Sequence, residues 1–213
     1  MSQLQIDIIS DVSCPWCIVG YKGLEKALTN LQGKLDASIQ WHAFELSPDM
    51  PKEGQLLSDY MTERYGVTKE QSEQNREALL KRGSDVGFEF IYSDEKRIYN
   101  TFDAHRLIFW AKSQGKQTEL KLALFTLYFQ NMGDPSDHLS LLDTVESVGL
   151  DTTEAKRILD GDMYTQEVRE EQKKYASMGI TSVPSVVVNN KYLIQGGQPA
   201  EVFEKTLLKI SEE

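Results

Sequence analysis

The sequence predicts an α/β protein whose single sheet is assembled from both ends of the chain, with a large helical segment inserted between them. Three observations carry that expectation. Residues 1–47 read strand, helix, strand; residues 179–213 read strand, strand, helix; and residues 48–178 carry apolar side chains at three- and four-residue spacing. Sequence-distant halves with complementary strands share one sheet, so the expected organisation is one domain from 1–47 plus 179–213 and a helical insertion from 48–178.

The elements follow in order. "QLQIDIIS" alternates Leu4, Ile6 and Ile8 with Gln5 and Asp7, then adds Ile9, the pattern of a buried strand. "CIVGYKGLEKALTNLQG" places Tyr21, Leu24, Leu28 and Leu31 at helical spacing, with Gly33 as its stop. "LDASIQWHAFEL" returns to strand character and ends at Ser47-Pro48. The helical segments are then "LLSDYMTERYG", "KEQSEQNREALLKRGSDVG", "TFDAHRLIFWAKSQG", "TELKLALFTLYFQNMG", "DHLSLLDTVESVGL", "TEAKRILDG" and "YTQEVREEQKKYASMG". Most of them close at or near a glycine, as helix C-termini commonly do. "VPSVVVNN" and "YLIQGG" are strands joined by turn residues, and "QPAEVFEKTLLKI" is a final helix with Pro199 near its first turn.

Composition excludes some functions. The 213 residues are 40% hydrophobic and 26% charged, as in a globular protein with a sizeable core. Acidic residues outnumber basic ones 33 to 23, and the net charge of −10 argues against nucleic-acid or membrane-surface partners. The N-terminal stretch has neither the basic nor the apolar region of a secretory signal, and no apolar run is long enough to cross a bilayer. A cytoplasmic location is expected.

The two cysteines, Cys14 and Cys17, fall within "SDVSCPWCIVG". Such a pair is half of a metal site, a redox dithiol, or two packed thiols. A structural zinc site commonly needs four ligands, and no second pair accompanies this one, although two subunits sharing a cluster remain an alternative. No metal and no cofactor is expected. The redox reading has a mechanism: unsatisfied N–H groups and the positive end of a helix dipole favour a thiolate at a helix start. Cys14 is therefore expected to be exposed, with a depressed pKa, and to attack; Cys17, one turn inside, is expected to be more buried and to resolve the mixed disulfide. Pro15 suits a first helical position, where its missing N–H costs nothing. Trp16, between the thiols, is expected at the surface as an apolar contact for substrate.

Pro184 opens a strand, where it cannot donate to the ladder. A cis Val183-Pro184 bond would turn this backbone toward the dithiol and leave Val183 to pair with an extended substrate; a trans proline at a sheet edge is the plainer alternative.

With "IDIISDVSCPWCIVGYKGLEKAL", "NTFDAHRL" and "SVPSVVVNNKYLIQGGQP" in place, the chain resembles the DsbA-type branch of the thioredoxin-fold superfamily, and within it the cytoplasmic FrnE-like proteins, over nearly its whole length. The resemblance implies a thioredoxin-like fold (β-α-β … β-β-α) with a DsbA-like helical insertion. It implies a thiol–disulfide oxidoreductase or dithiol–disulfide isomerase with Cys14 as nucleophile, Cys17 as resolving thiol and Pro184 as the cis-proline. Its substrates would be thiol- or disulfide-bearing proteins or peptides, with glutathione a further candidate. Glutathione-dependent isomerases and kappa-class transferases share the topology but carry serine where Cys14 stands; they are the alternative enzyme reading, and a chaperone-like or metal-carrying module is the non-enzymatic one.

The remaining candidates are weaker. His105 is placed as a substrate contact lining a cleft between insertion and sheet, near Asn100 and Arg106, against the plainer role of a helix histidine bonded within its own domain. His42 is expected to be structural and His138 to sit in a helix first turn after Asp137. Asp11 either tunes the Cys14 proton, caps the helix or makes a local turn. "QGGQP" is explained by turn geometry.

Overall fold

The computed structural model describes residues 2–51 and 53–213; Met1 and Lys52, which the two expected domain ranges include, lie outside it. Strand β1 (Ser2–Ser10) runs into helix α1 (Pro15–Asn30), which returns to β2 (Leu35–Ala43). A two-residue strand β3 (Gln55–Leu56) precedes α2 (Leu57–Tyr65) and α3 (Lys69–Asp85), and β4 (Arg97–Ile98) precedes α4 (Phe102–Ser113). Then come α5 (Gln117–Phe129), α6 (His138–Ser147), α7 (Thr152–Asp160) and α8 (Thr165–Ser177). The chain closes with β5 (Ser185–Val188), β6 (Tyr192–Gln195) and α9 (Ala200–Ser211).

The main sheet has the order β2-β1-β5-β6, with β1 parallel to β2 and antiparallel to β5. Both chain ends therefore build it. The period of two in β1 sends Leu4, Ile6 and Ile8 into the principal core, beneath α1 and α9, while Ile9 joins Tyr175, Ile180 and Val187 in a second cluster. β2 stops at Ala43, short of the Ser47-Pro48 end expected, because β1 ends at Ser10 and leaves no ladder partner after the Phe44 N–H bonds the Ser10 carbonyl.

Capping explains the helix boundaries. Thr68 and Gln71 form a reciprocal capping box at α3, and Asp137 and Asp151 accept backbone N–H bonds at the starts of α6 and α7. Gly66 ends α2 in the left-handed region, where a side chain would be strained. The β3–β4 pair is absent from the sequence expectation, since two-residue strands have no alternation to read.

The helical segment is fastened to the sheet at Trp41. Its ring lies 5.0 Å from Tyr21 of α1 and 6.3 Å from Phe125 of α5, and its indole N–H donates to Thr118 at 3.0 Å. Gln117, the first residue of α5, accepts from the Trp41 N–H at 2.9 Å and donates to the Trp41 carbonyl at 2.9 Å. An edge strand presents unpaired backbone groups, and one side-chain amide here completes them as a neighbouring strand would. On the opposite flank, α1 lies so close to residues 196–198 that a Cβ at Gly23 would collide with the Gln198 carbonyl.

Candidate active site

The turn between β1 and α1 builds the site. After Ser10, the Asp11 carboxylate accepts from the Ser13 N–H at 3.3 Å and, across the sheet end, from the Leu46 N–H at 2.7 Å. The Cys14 N–H bonds the Asp11 carbonyl at 3.3 Å, which ends the turn and places Cys14 at the N-cap of α1 with extended dihedrals. Pro15 takes the first helical position, and the Cys17 N–H bonds back to the Cys14 carbonyl at 3.1 Å. Both cysteines are free thiols on the first turn, with Trp16 between them 41% exposed.

The Val183-Pro184 bond is cis, and the Cys14 Sγ lies 3.8 Å from the Val183 carbonyl oxygen, within reach of an S–H···O contact. The "QGGQP" turn closes the third side, with Gly197 against the Trp16 carbonyl and Gly20 of α1 against Pro184.

Two expectations need correction. Cys14 is not exposed: it is 4% accessible, against 0% for Cys17, because the N-cap turn folds it under the 183–184 segment. Nor is it the thiol with the depressed pKa. Its hydrogen bond with Cys17 and its burial push the Cys14 thiol well up. Burial works against a charge on Cys17 too, but hydrogen bonds from Cys14 and Ser10 and the charge of Lys121 outweigh it and hold Cys17 below the usual thiol range. The hydrogen bond between the two sulfurs thus eases loss of the first proton from the pair and opposes loss of the second.

His105 is also displaced from its expected place. It is 2% exposed, beneath the motif, with Nε2 3.4 Å from Asp11 Oδ1 and no completed hydrogen bond there. Its ring is enclosed here and faces Asp11, rather than lining an open cleft between insertion and sheet. Asn100 and Arg106 belong to helix packing: Asn100 donates to the Pro48 carbonyl, and Arg106 binds the Met163 carbonyl and Asp103. His42 lies between Asp7 at 2.8 Å and Glu171 at 2.9 Å, joining β2 to β1 and α8, and His138 opens α6 beside Asp103.

Asp11 does more than shape the turn. Burial opposes its charge, yet the His105 ring, the Leu46 N–H and Lys121 hold its carboxyl below the usual range. Lys121 of α5 was missed by the sequence reading. It is 1% exposed, and burial lowers its pKa to about 8 against the opposing pull of Cys17, Asp11 and Cys14. A signal was available: Lys121 shares a helix face with Leu124, Phe125 and Tyr128, the apolar side of "TELKLALFTLYF". Among the described residues, no group of three or more His, Cys, Asp or Glu side chains is arranged to hold a metal, and no helix is long and apolar enough to cross a membrane.

A strand delivering two thiols to a helix start, opposite a cis-proline segment on the neighbouring strand, defines a thioredoxin-fold dithiol protein. The model of the DSBA-like thioredoxin domain matches residues 5–208, and the chain belongs to that family of thiol oxidoreductases and isomerases. It is 30% identical to a probable DsbA oxidoreductase from Streptomyces coelicolor, with a TM-score of 0.89 over 99% of this chain and 91% of that one. It is 27% identical over 206 residues to the uncharacterized protein YwbO of Bacillus subtilis (strain 168), covering 96% of each. The fold also matches a cytosolic disulfide reductase, DsbM, from Pseudomonas aeruginosa with GSH, at 13% identity and a TM-score of 0.66, over 98% of this chain and all of that one.

Proposed function

We propose that the protein catalyses thiol–disulfide exchange on proteins or peptides, and on glutathione disulfides, as an oxidoreductase or isomerase. With one proton left on the pair, held by Cys17, Cys14 attacks a substrate disulfide as the thiolate, forming a mixed disulfide and releasing one substrate thiolate. Cys17 then gives its proton to the released substrate thiolate, attacks the Cys14 sulfur as a thiolate, forms the Cys14–Cys17 disulfide and releases the second substrate thiolate. The substrate gains two electrons and the dithiol loses them; the reverse sequence oxidises a dithiol substrate. The observation that carries this reading is the Cys14 sulfur facing the Val183 carbonyl, because a backbone edge beside the nucleophile is what an extended substrate pairs with.

Cys17→Ser tests it: this variant accumulates mixed disulfides through Cys14, and Cys14→Ser has no turnover. Full activity in Cys14→Ser overturns the reading. Stoichiometric glutathione binding without dithiol turnover places the protein with glutathione-dependent isomerases instead.

A further inference from the structure

We propose that His105, carried by the helical segment rather than by the sheet, is a positioning residue for the exchange reaction: through the Asp11 carboxylate it holds the turn that presents the Cys14 sulfur to the Val183 edge. This rests on the exchange reading above and deepens it.

Asp11 lies where three elements meet. Its Oδ1 accepts from the Ser13 N–H at 3.3 Å, its Oδ2 from the Leu46 N–H beyond β2 at 2.7 Å, and its carbonyl from the Cys14 N–H at 3.3 Å. One residue therefore holds the turn from within and at its far end, and ties it to the chain leaving β2. The two carboxylate oxygens are served unequally: 2.7 Å is a strong bond, whereas 3.3 Å lies beyond the usual N–H···O range. His105 Nε2 of α4 is 3.4 Å from that same Oδ1, and both side chains are 1% exposed. A buried carboxylate needs its lone pairs occupied, and His105 brings the donor that Oδ1 lacks. Among the described residues, Nε2 has no hydrogen bond elsewhere. At 3.4 Å the contact is slightly long, as hydrogen bonds in a site without substrate often are before they tighten.

Cys14 depends on this turn more than Cys17 does. Cys17 lies within α1, which packing fixes in place: Gly23 sits so close to the Gln198 carbonyl that no Cβ fits between them. Cys14 is the N-cap, with φ −90° and ψ 110° and a side chain that caps nothing, so the turn before it sets where its sulfur points. What the turn maintains is the 3.8 Å approach of that sulfur to the Val183 carbonyl. Loosening Asp11 thus moves the attacking sulfur and leaves the Val183 edge in place. A misplacement of about 1 Å costs up to about a hundredfold in rate. The neighbours of His105 on α4 have other duties: Arg106 pairs with Asp103, which also binds His138. His42 is a contrast of the same chemistry, a buried histidine whose bonds go to Asp7 of β1 and Glu171 of α8 rather than to the turn.

The test uses the full chain and a two-cysteine peptide disulfide as substrate, with reduced glutathione supplying the electrons. Each turnover reduces one peptide disulfide and joins two glutathione thiols as glutathione disulfide. His105→Leu is expected to lower kcat about tenfold with KM held within about twofold, because the edge that binds substrate is intact and the sulfur beside it is displaced. His105→Gln, which keeps a side-chain N–H donor, restores most of kcat. His42→Gln leaves kcat in place whatever it does to stability. An unchanged kcat in folded His105→Leu, or an equal loss in His105→Gln, overturns the proposal. No turnover by the unmodified protein, or full activity in Cys14→Ser, overturns the exchange reading instead. If His105→Leu does not fold, the ring nitrogen resonances of His105 are read by NMR in the unmodified reduced protein. A proton on Nε2 supports the proposal, and a bare Nε2 facing Asp11 refutes it.

Discussion

Cys14 and Val183 stand 169 positions apart in the chain, and their Sγ and carbonyl oxygen meet at 3.8 Å. The contact joins the two ends of the chain that supply the sheet. It also covers the thiol that the helix start alone would leave open, so Cys14 combines the position of a nucleophile with low accessibility.

That combination predicts the order and pace of alkylation. Cys17 is fully enclosed, so iodoacetamide modifies Cys14 first, and more slowly than it modifies an exposed thiol. In Cys14→Ser, Cys17 resists modification until the protein is unfolded. Peptide mass mapping of briefly treated protein checks this, and earlier labelling at Cys17 contradicts it.

Gln117 predicts how firmly the helical segment is tied to the sheet. Gln117→Ala leaves the buried Trp41 N–H and carbonyl unpaired, with an expected cost of about 2–4 kcal/mol. Gln117→Glu keeps an acceptor for the N–H but sets a carboxylate oxygen against the carbonyl, and is expected to destabilise as well. Urea unfolding measures both, and a loss below about 1 kcal/mol in Gln117→Ala removes the amide from its bridging role.

The Asp7–His42–Glu171 group predicts a pH dependence of stability. Burial opposes a charged His42, but its bonds to Asp7 and Glu171 outweigh this and raise its pKa above 6.5. Its contribution is therefore complete below about pH 6.5 and is lost as the pH rises through the raised folded value. Asp7 has the opposite sign: burial opposes its charge, His42 outweighs that, and its lowered pKa gives a contribution lost as the pH falls through the folded value below 3.8. Urea unfolding from pH 6 to pH 9 is expected to show a decline in the parent that His42→Gln lacks. His42→Ala, which strands two carboxylates, is expected to cost about 3–5 kcal/mol at pH 6.

Local chemistry made much of this protein legible before its structure. Helical periodicity marked α4 to α7 because each buries several side chains along one side, and the period of two marked β1 because its faces meet different clusters. The spacing of Cys14 and Cys17 around Pro15 pointed to a helix start, since proline is tolerated there and a thiol one turn later shares the same face. What the tertiary structure alone decided is the environment of those thiols. Burial and electrostatics depend on groups brought together from distant elements: Val183 over Cys14, His105 of α4 against Asp11, and the buried Lys121 of α5 beside Trp41 and Phe125. No local pattern encodes those distances. The sequence places the dithiol, and the packing of α4 and of the 183–184 segment on the β1–α1 turn determines how deeply it is buried and what faces it.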